Sequence, residues 1–490
     1  MLKDYDFSET HVDKVKRSEL GEEFAKLQRQ LNKTDSSMLV IVDGWESSGK
    51  GFVLKDLTRE LDPRYHEVSV FEHPTEEEQN RSFLWRFFKE LPKKGNIAFF
   101  DRSFYYQILN DRHLSEKEME HHLMDISLLE RLLVADGTLV VKLFLHHSEK
   151  TMEKRIKKLD ADPLRQFLIS KNDKKQLKQY SDYLNHFDDV LEKTNFDSSP
   201  WHVVSSEHLK DASRLSLNFV IAALKKYLDT SNKSVPFNTG WTPKLNKKPA
   251  SLAKVNLNKK ISAKTYDDKK DPLQERAGEL LYELWLKKIP CIIVFEGTDA
   301  AGKGGAIQRL TRQMDPRGYD VATTAAPTTY ENNYHYLWRF FDTFPEKGRL
   351  TIYDRSWYGR VLVERTEKFT SEQRWRDAYH EMNEMEHNLI HEGHLLLKFL
   401  IVIDKEEQKK RFDARQNDPE KNYKLTDEDW RNHDKFNENE TAMNDMIVKT
   451  NTTEAPWTIV EGTQKEYARI KVLETFINET ENFLKKHEPH

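Results

Sequence analysis

The 490-residue chain has few of the features that mark secreted, membrane or nucleic-acid-binding proteins. It contains a single cysteine, Cys291, so no disulfide can form within the chain, and a reducing compartment is expected. No hydrophobic run approaches the length of a membrane span, and residues 1–17 have no apolar stretch of the signal-peptide kind. Neither sign of charge dominates, because 78 Lys and Arg residues are matched by 82 Asp and Glu residues. These absences predict a cytoplasmic protein without nucleic-acid or membrane partners.

What the sequence does contain is the same module written twice. The stretch GWESSGKGF begins at Gly44, and the similar stretch GTDAAGKGG begins at Gly297, 253 positions later. At the same offset, residues 84–88 match 337–341 and residues 101–103 match 354–356. Further along, the offset becomes 256, and Trp201 matches Trp457. Agreement over so many positions indicates a fused tandem duplication.

The duplication predicts two domains joined by a linker. The first domain is expected over residues 1–228 and the second over residues 271–490. Residues 229–270 are rich in Ser, Asn, Lys and Pro and lack periodic apolar spacing, which is typical of a linker. The lysines of this segment fit a solvated connector better than an arm that binds polyanions.

Each copy reads as alternating strands and helices. In the second copy, apolar runs predict strands at 291–296, 319–323, 349–354, 396–403 and 457–461. Strands that alternate with amphipathic helices predict an α/β fold with a parallel sheet covered on both faces. The continuous run CIIVF fits a strand that is buried on both sides, with Cys291 as a core residue rather than a nucleophile.

A glycine-rich loop follows the first of these strands. The stretch GTDAAGKGG has the spacing G-x-x-x-x-G-K and lies between a predicted strand and a predicted helix, as a phosphate-binding loop requires. Backbone amides and the helix N-terminus would bind phosphate oxygens, and Lys303 would reach the terminal phosphates. The other phosphate or nucleotide contacts predicted in this loop are Gly297, Ala300, Ala301, Gly302, Gly304 and Gly305. The alternative is a structural turn that shows this spacing by chance.

The residue after the lysine is Gly304, although phosphate-binding loops usually have Ser or Thr there to bind magnesium. Asp299 lies inside the loop instead, and Asp354 ends a predicted strand at the place of a Walker B aspartate. Because ligands of open parallel sheets bind at the carboxyl ends of strands, the two carboxylates are expected in one cleft. We predict that they hold one or two Mg²⁺ ions, with a role as base open for Asp299. The structural alternative for each is a helix cap.

Several cations are expected near this cleft. Arg355 follows Asp354 directly, and the stretch KKRFDARQNDPEKNYKL contains Arg411, Arg415, Lys421 and Lys424. Nucleotide kinases have a mobile arginine-rich lid at this point, which neutralises the transferred phosphoryl group and excludes water. A solvated helix face is the alternative. Further contacts to phosphate or nucleotide are predicted at Arg309, Arg312, Pro327, Arg339 and Arg360. The first two arginines fit ordinary exposed side chains equally well.

Together these stretches resemble the polyphosphate kinase 2 family. The resemblance rests on FEGTDAAGKGG, YLWRFF, YDRSWYGR and RFDARQNDPEKNYK and covers both halves of the chain outside the linker. Two fused copies resemble the family's polyphosphate:AMP phosphotransferase branch. The resemblance implies a thymidylate-kinase-like P-loop fold and Mg²⁺-dependent transfer of the terminal phosphoryl group of inorganic polyphosphate to AMP, forming ADP. It also implies that Asp299 and Lys303 form a Walker A pair and that Asp354 and Arg355 form a Walker B pair. The lid positions that it implies are Arg411, Arg415 and Lys421.

The first copy departs from this pattern. It has Glu46, Phe52 and Leu159 at the positions of Asp299, Gly305 and Arg415. We therefore expect the second domain to carry catalysis and the first to be structural or to hold polyphosphate. The second copy departs once, at Gly359, where the family often has Asn.

Two other functions stay open at this point. An ATP-dependent nucleoside monophosphate kinase would usually have Ser or Thr after the loop lysine, and Gly304 counts against it. A non-enzymatic P-loop sensor of nucleotide or polyphosphate would not need loop, strand-end aspartate and lid together. The acceptor, the direction of transfer and the oligomeric state are open, and assembly into a homo-oligomer is compatible with the sequence.

Overall fold

The computed structural model describes residues 1–7, 15–164, 166, 169–230, 235–247, 251–419 and 427–486, which form two compact units. One unit comprises Met1–Glu78, Phe83–Val235 and Thr329–Trp338. The other comprises Gln79–Ser82, Pro236–Thr328 and Arg339–His490. Each unit thus includes a short segment from the opposite half of the sequence.

The described residues of the first half form five strands: β1 (Ser37–Gly44), β2 (His66–Val70), β3 (Ile97–Asp101), β4 (Thr138–His146) and β5 (Trp201–Ser205). Its helices are α1 (Arg17–Leu31), α2 (Lys50–Thr58), α3 (Glu76–Gln79), α4 (Trp85–Phe88), α5 (Tyr106–Asn110), α6 (Glu116–Ala135), α7 (Glu149–Asp160), α8 (Lys171–Lys178), α9 (Tyr180–Lys193) and α10 (Leu209–Asp229).

The second half, where the structure describes it, also forms five strands: β6 (Cys291–Gly297), β7 (Tyr319–Thr323), β8 (Leu350–Asp354), β9 (Leu395–Val402) and β10 (Trp457–Glu461). Its helices are α11 (Ala263–Leu286), α12 (Lys303–Leu310), α13 (Trp338–Phe341), α14 (Val363–Thr366), α15 (Glu372–His391), α16 (Lys405–Gln416), α17 (Asp427–Asp434), α18 (Phe436–Thr450) and α19 (Lys465–Lys486). Among the helices described, none combines the length and the apolar character that crossing a bilayer requires.

Each unit contains one five-stranded parallel sheet, which confirms the predicted α/β fold. The strand orders are β2-β3-β1-β4-β5 and β7-β8-β6-β9-β10, so the two sheets have the same topology. The five strands predicted in the second copy are all present, within two residues at each end. The central strand β6 is buried from Cys291 to Glu296, because helices cover both of its faces.

A buried polar network is present in both copies. In the second, Lys398 Nζ donates to Glu386 Oε2 at 2.7 Å, to the Tyr358 hydroxyl at 3.0 Å and to the Thr450 carbonyl at 2.9 Å. In the first, Lys142 makes the same three contacts with Glu130, Tyr105 and Thr194. All three donors of each ammonium group are therefore satisfied, which a buried charge requires.

Two parts of the predicted linker, residues 229–270, have regular structure. Helix α11 begins at Ala263, where the Ser262 Oγ accepts a hydrogen bond from the Thr265 amide at 3.0 Å, so the predicted boundary after residue 270 lies inside this helix. The sequence signal is weak there because the first turns, AKTYDDKKD, are polar and the buried side chains begin at Gln274. Nearer its start, Leu245 forms a β-bridge with Thr452.

Candidate active site

The loop between β6 and α12 depends on two of its glycines. Gly297 has a φ of +139°, and a Cβ there would lie 2.0 Å from the Ile401 carbonyl oxygen. Gly302 has a φ of +112° and caps the N-terminus of α12. Lys303 lies over this loop, and its Nζ donates to the Gly297 carbonyl at 2.8 Å. A Cβ at Gly304 would meet nothing within 4 Å, so open space replaces the usual hydroxyl.

The end of β8 brings a second part of the site to the same edge of the sheet. Asp354 is in register with Phe295 of β6, two residues before the loop begins. The next residue, Arg355, has a φ of +64°, a conformation that residues other than glycine rarely adopt. Its amide donates to the Phe295 carbonyl at 3.1 Å, and its Nη2 donates to Asp299 Oδ1 at 2.9 Å. The backbone at the strand end thus directs this guanidinium into the phosphate loop.

The carboxylate of Asp299 is largely buried between cations and amides. In addition to the bond from Arg355, Asn432 Nδ2 donates to its Oδ2 at 2.8 Å. Burial alone would raise the pKa of Asp299, but the charges of Lys303 and Arg355 together with these hydrogen bonds lower it below its ordinary value. The loop carboxylate is therefore ionised at neutral pH. Asn432, in α17, was not identifiable from the sequence because it belongs to no motif.

A second acid, Glu296, supports the site from inside the sheet and was also missed. Its Oε1 accepts hydrogen bonds from the amide and the hydroxyl of Ser356, both at 2.8 Å. Burial raises the pKa of Glu296 to about 7, against the opposing effects of Ser356 and Lys303. The first copy has the same arrangement, with Ser103 Oγ donating to Asp43 at 2.6 Å. An acid directly precedes the loop in both copies, Asp43 in the first and Glu296 in the second, and this repeat could have identified Glu296 from the sequence.

Glu296→Gln is expected to stabilise the protein at alkaline pH only. Because folding raises the pKa of Glu296 from about 4.5 to about 7, its contribution to stability is lost as pH rises through this interval. Glutamine keeps the acceptor for Ser356 but cannot ionise. The variant should gain about 1–3 kcal/mol over the wild type at pH 8, and little at pH 5. Urea unfolding at both pH values measures this, with the exposed Glu372→Gln as the control. Equal differences at both pH values would contradict it.

Arg411, predicted as a lid cation that faces the transferred phosphoryl group, instead contacts the backbone of the phosphate loop. The side chain is 8% exposed and forms an ion pair with Glu407 at 2.7 Å. Its two terminal nitrogens donate to four backbone carbonyls at 2.8–3.0 Å, those of Ala300, Ala301, Gly462 and Thr463. Arg155 of the first copy likewise donates to the Ser47 carbonyl at 2.8 Å. Arg411 therefore fixes the backbone of the phosphate loop by these hydrogen bonds, and its guanidinium N–H groups are occupied by protein acceptors.

A cationic cavity of about 310 Å³ adjoins the phosphate loop of the second copy. Its walls are residues 300–302, 305 and 306, the alanines 414 and 468, Arg411, the acid Asp418 and three further cationic side chains, Arg415, Lys465 and Arg469. The predicted Arg415 is thus placed here, whereas the two cations of α19 were missed because their distance along the chain gives no signal. Burial and the charges of Arg411 and Arg469 lower the pKa of Lys465. The first copy has Phe52, Leu159, Leu209 and Ser213 at the positions of Gly305 and the three cations.

The remaining predicted contacts are scattered around the site. Arg309 is half-buried beside Gln308, and Arg312 is exposed. Pro327 is exposed, four residues beyond the end of β7 at Thr323. Arg339 Nη1 donates to the Ala325 carbonyl at 3.0 Å, and Arg360 forms an ion pair with Glu364 at 2.7 Å. Lys421 and Lys424 lie outside the described residues.

The two copies differ in the space beside the loop carboxylate. In the first copy, Glu46 is held by Arg102 Nη2 at 2.9 Å and by the Tyr106 hydroxyl at 3.0 Å. The residue of the second copy at the position of Tyr106 is Gly359, where a Cβ would meet nothing within 4 Å. A phenol therefore covers the acid of the first copy, whereas the second copy has no side chain at this position and Asn432 contacts its acid instead.

Sequence comparison relates both halves of the chain to one family. The family model described as Polyphosphate kinase 2 (PPK2) matches residues 8–235 and 260–488. The chain is 38% identical over 449 residues to a protein from Pseudomonas syringae pv. tomato named polyphosphate:AMP phosphotransferase, covering 90% of this chain and 89% of that protein. A protein of the same name from Pseudomonas aeruginosa is 37% identical over 454 residues, covering 92% and 91%.

The fold gives the same result. The structure is similar to the crystal structure of a chain described as a polyphosphate kinase 2 from Pseudomonas aeruginosa PA01, with a TM-score of 0.83 and 34% identity. The similarity covers 96% of each chain. Because the family model matches most of the sequence in two successive segments, this chain belongs to the polyphosphate kinase 2 family and contains two copies of its domain.

Proposed function

We propose that the protein transfers the terminal phosphoryl group of inorganic polyphosphate to AMP, forming ADP, and that the second unit performs this transfer. The observation that carries the proposal is the convergence of Lys303, Asp299 and Arg355 beside a cationic cavity. The full-length relatives named above carry this activity in their names. The single cysteine, Cys291, is buried in β6, which agrees with the reducing environment of the cytoplasm.

The choice of polyphosphate over ATP as donor rests on the chemistry of the cavity. Its polar walls present Arg411, Arg415, Lys465 and Arg469 against one acid, Asp418, and the adjoining loop contributes small residues, alanine and glycine. A nucleotide base is usually bound by aromatic or extended apolar surface, whereas a run of phosphates needs repeated positive charge. The excess of cations over the single acid next to the phosphate loop therefore suits the phosphates that follow the one being transferred.

The residues fit Mg²⁺ as the cofactor, held by Asp299 and Asp354. Mg²⁺ prefers oxygen ligands, and Asp299 is kept ionised by its neighbours. Each oxygen of Asp299 accepts one hydrogen bond, from Arg355 or Asn432, which leaves a second lone pair on each. When bound, the ion would neutralise charge on the phosphate oxygens.

The chain's own groups would position and stabilise the phosphates. The amide groups at the N-terminus of α12 and the Lys303 ammonium would bind the oxygens of the transferred group. Arg355, held by its bond to Asp299, would add positive charge where negative charge develops. Arg411 would keep the loop carbonyls turned away from the phosphates, as a positioning residue. Catalysis would then come from alignment and electrostatics rather than from a covalent intermediate.

The test is ADP formation from AMP and Mg²⁺ with either polyphosphate or ATP as the donor. We expect product with polyphosphate and little with ATP. The double variant Lys465→Ala/Arg469→Ala should lower the polyphosphate rate by on the order of tenfold or more, because it removes two cavity cations. Ser213→Ala, at the position of Arg469 in the first copy, is the matched control. Product with ATP alone would favour a nucleoside monophosphate kinase.

A further inference from the structure

Three metal-ligating side chains meet near the end of α15. His387 and His391 are four residues apart on this helix and therefore lie on the same face. Glu454, between α18 and β10, reaches both: its Oε2 lies 2.6 Å from His387 Nδ1, and its Oε1 lies 3.7 Å from His391 Nε2. One ligand atom from each of the three side chains lies within 4.8 Å of the others.

The cluster is separate from the phosphotransfer cleft. Helix α15 ends at His391, four residues before β9 begins at Leu395, and Glu454 is three residues before the start of β10 at Trp457. The cluster is therefore next to the amino ends of these strands. Asp299 and Asp354 belong to the carboxyl ends of parallel strands, which is the opposite edge of the sheet.

We propose that His387, His391 and Glu454 bind one divalent transition-metal cation, with Zn²⁺ as the best match. Two imidazoles and one carboxylate are a ligand set that zinc accepts and magnesium does not favour. With zinc–ligand bonds of about 2.0–2.1 Å, neighbouring ligand atoms of a tetrahedral site are about 3.4 Å apart. The 2.6 Å separation of His387 Nδ1 and Glu454 Oε2 is that of a hydrogen bond, so it would lengthen by about 0.8 Å when the cation replaces the shared proton. His391 Nε2 already lies 3.7 Å from the other oxygen of the carboxylate. Water supplies the fourth ligand, since His391 and Glu454 are both exposed.

The ring of His387 is already held in place. The indole of Trp241 stacks on it, with ring centroids 4.0 Å apart and an interplanar angle of 17°. Trp241 belongs to the described segment 235–247, in which the Lys244 carbonyl accepts a hydrogen bond from the Thr453 amide at 2.9 Å, next to Glu454. Packing that fixes a ligand's orientation strengthens a metal site. A bound cation would therefore join α15 to the segment before β10.

The first copy shows that the fold does not need this cluster. The residues at the positions of His387, His391 and Glu454 are Arg131, Ala135 and Ser198. The same helix and the same strand start form there without them. A His–Glu hydrogen bond with a packing role alone is the alternative, and it predicts no preference for a metal.

Zinc binding by the full-length chain tests the proposal. The protein is stripped with a chelator and titrated with Zn²⁺ in competition with a chromophoric chelator. We expect one tight site per chain, and an affinity lower by on the order of 100-fold in His391→Ala. His113→Ala, an exposed histidine of the first copy, is the matched control and should bind zinc like the wild type. Absence of a stoichiometric site, or equal affinity in His391→Ala, would overturn the proposal.

The stacked indole locates the ion. Paramagnetic Cu²⁺ bound at this cluster should quench the fluorescence of Trp241 more than that of the other tryptophans, because Trp241 contacts a ligand ring. Phenylalanine keeps an aromatic ring against His387, so Trp241→Phe at saturating Cu²⁺ should show a clearly smaller fluorescence loss. The same quenching in Trp241→Phe as in the wild type would place the ion elsewhere and refute the assignment.

Discussion

Lys303→Ala is expected to lower polyphosphate:AMP transfer by on the order of 10³-fold, whereas Lys50→Ala should leave most of the activity. Lys303 lies over a loop of glycine and alanine next to the cationic cavity, and its Nζ donates to the loop carbonyls of Gly297 and Thr298, which a phosphate can replace. Lys50 is 7% exposed, and its Nζ donates to the carbonyl of Trp45 at 3.0 Å. The indole of Trp45 is buried and stacks on Tyr180, with centroids 4.4 Å apart.

The measurement is kcat and KM for polyphosphate in the wild type and both variants at saturating Mg²⁺ and AMP. Circular dichroism checks that each variant is folded, which matters most for the buried Lys50. Loss of activity in Lys50→Ala with full activity in Lys303→Ala would reverse the assignment of catalysis to the second unit. Equal partial losses in both would mean that both units turn over.

Gly359→Tyr should reduce transfer by on the order of 10²-fold or more, and Gly359→Ala should have little effect. In the first copy, the Tyr106 hydroxyl donates to the loop acid Glu46, so a tyrosine at this position covers the carboxylate. The backbone at Gly359 accepts a side chain without strain, since a Cβ there meets nothing and its φ is not positive. The tyrosine would thus fill the space beside Asp299 and compete for the carboxylate that we assign to the metal.

The alanine variant separates the loss of glycine from the arrival of the phenol. Tyr106→Gly removes the phenol from the first copy and should leave the overall rate unchanged, because that copy has Leu159, Leu209 and Ser213 in place of three cavity cations. Steady-state rates at several Mg²⁺ concentrations make the comparison. Wild-type activity in Gly359→Tyr would show that neither substrate nor metal uses the space beside Asp299.

Most of the fold could be predicted from the sequence, because apolar runs and an internal repeat are local signals. The strands of the second copy are read directly from such runs. The start of α11 could not be, since its first turns are polar and its buried residues begin at Gln274. There the N-cap Ser262 and packing of the later turns decide the structure.

The site divides in the same way. Asp299 and Lys303 follow from motif spacing, which describes groups a few residues apart. Asn432 and Arg469 contact the loop from positions more than 100 residues away along the chain, so no local sequence motif identifies them. For Arg411 the sequence indicates a cation near the phosphate loop but not the orientation of its side chain. That orientation depends on which backbone carbonyls need a hydrogen-bond donor.

The buried network around Lys142 and Lys398 has an evolutionary consequence. The first copy differs from the second in its loop acid and in three cavity cations, yet both have the ammonium, the carboxylate and the phenol inside the sheet. Removing one partner of such a buried pair leaves an uncompensated charge and costs about 3–5 kcal/mol. Natural selection for folding therefore acts on this network in both halves of the gene, whether or not a half performs chemistry.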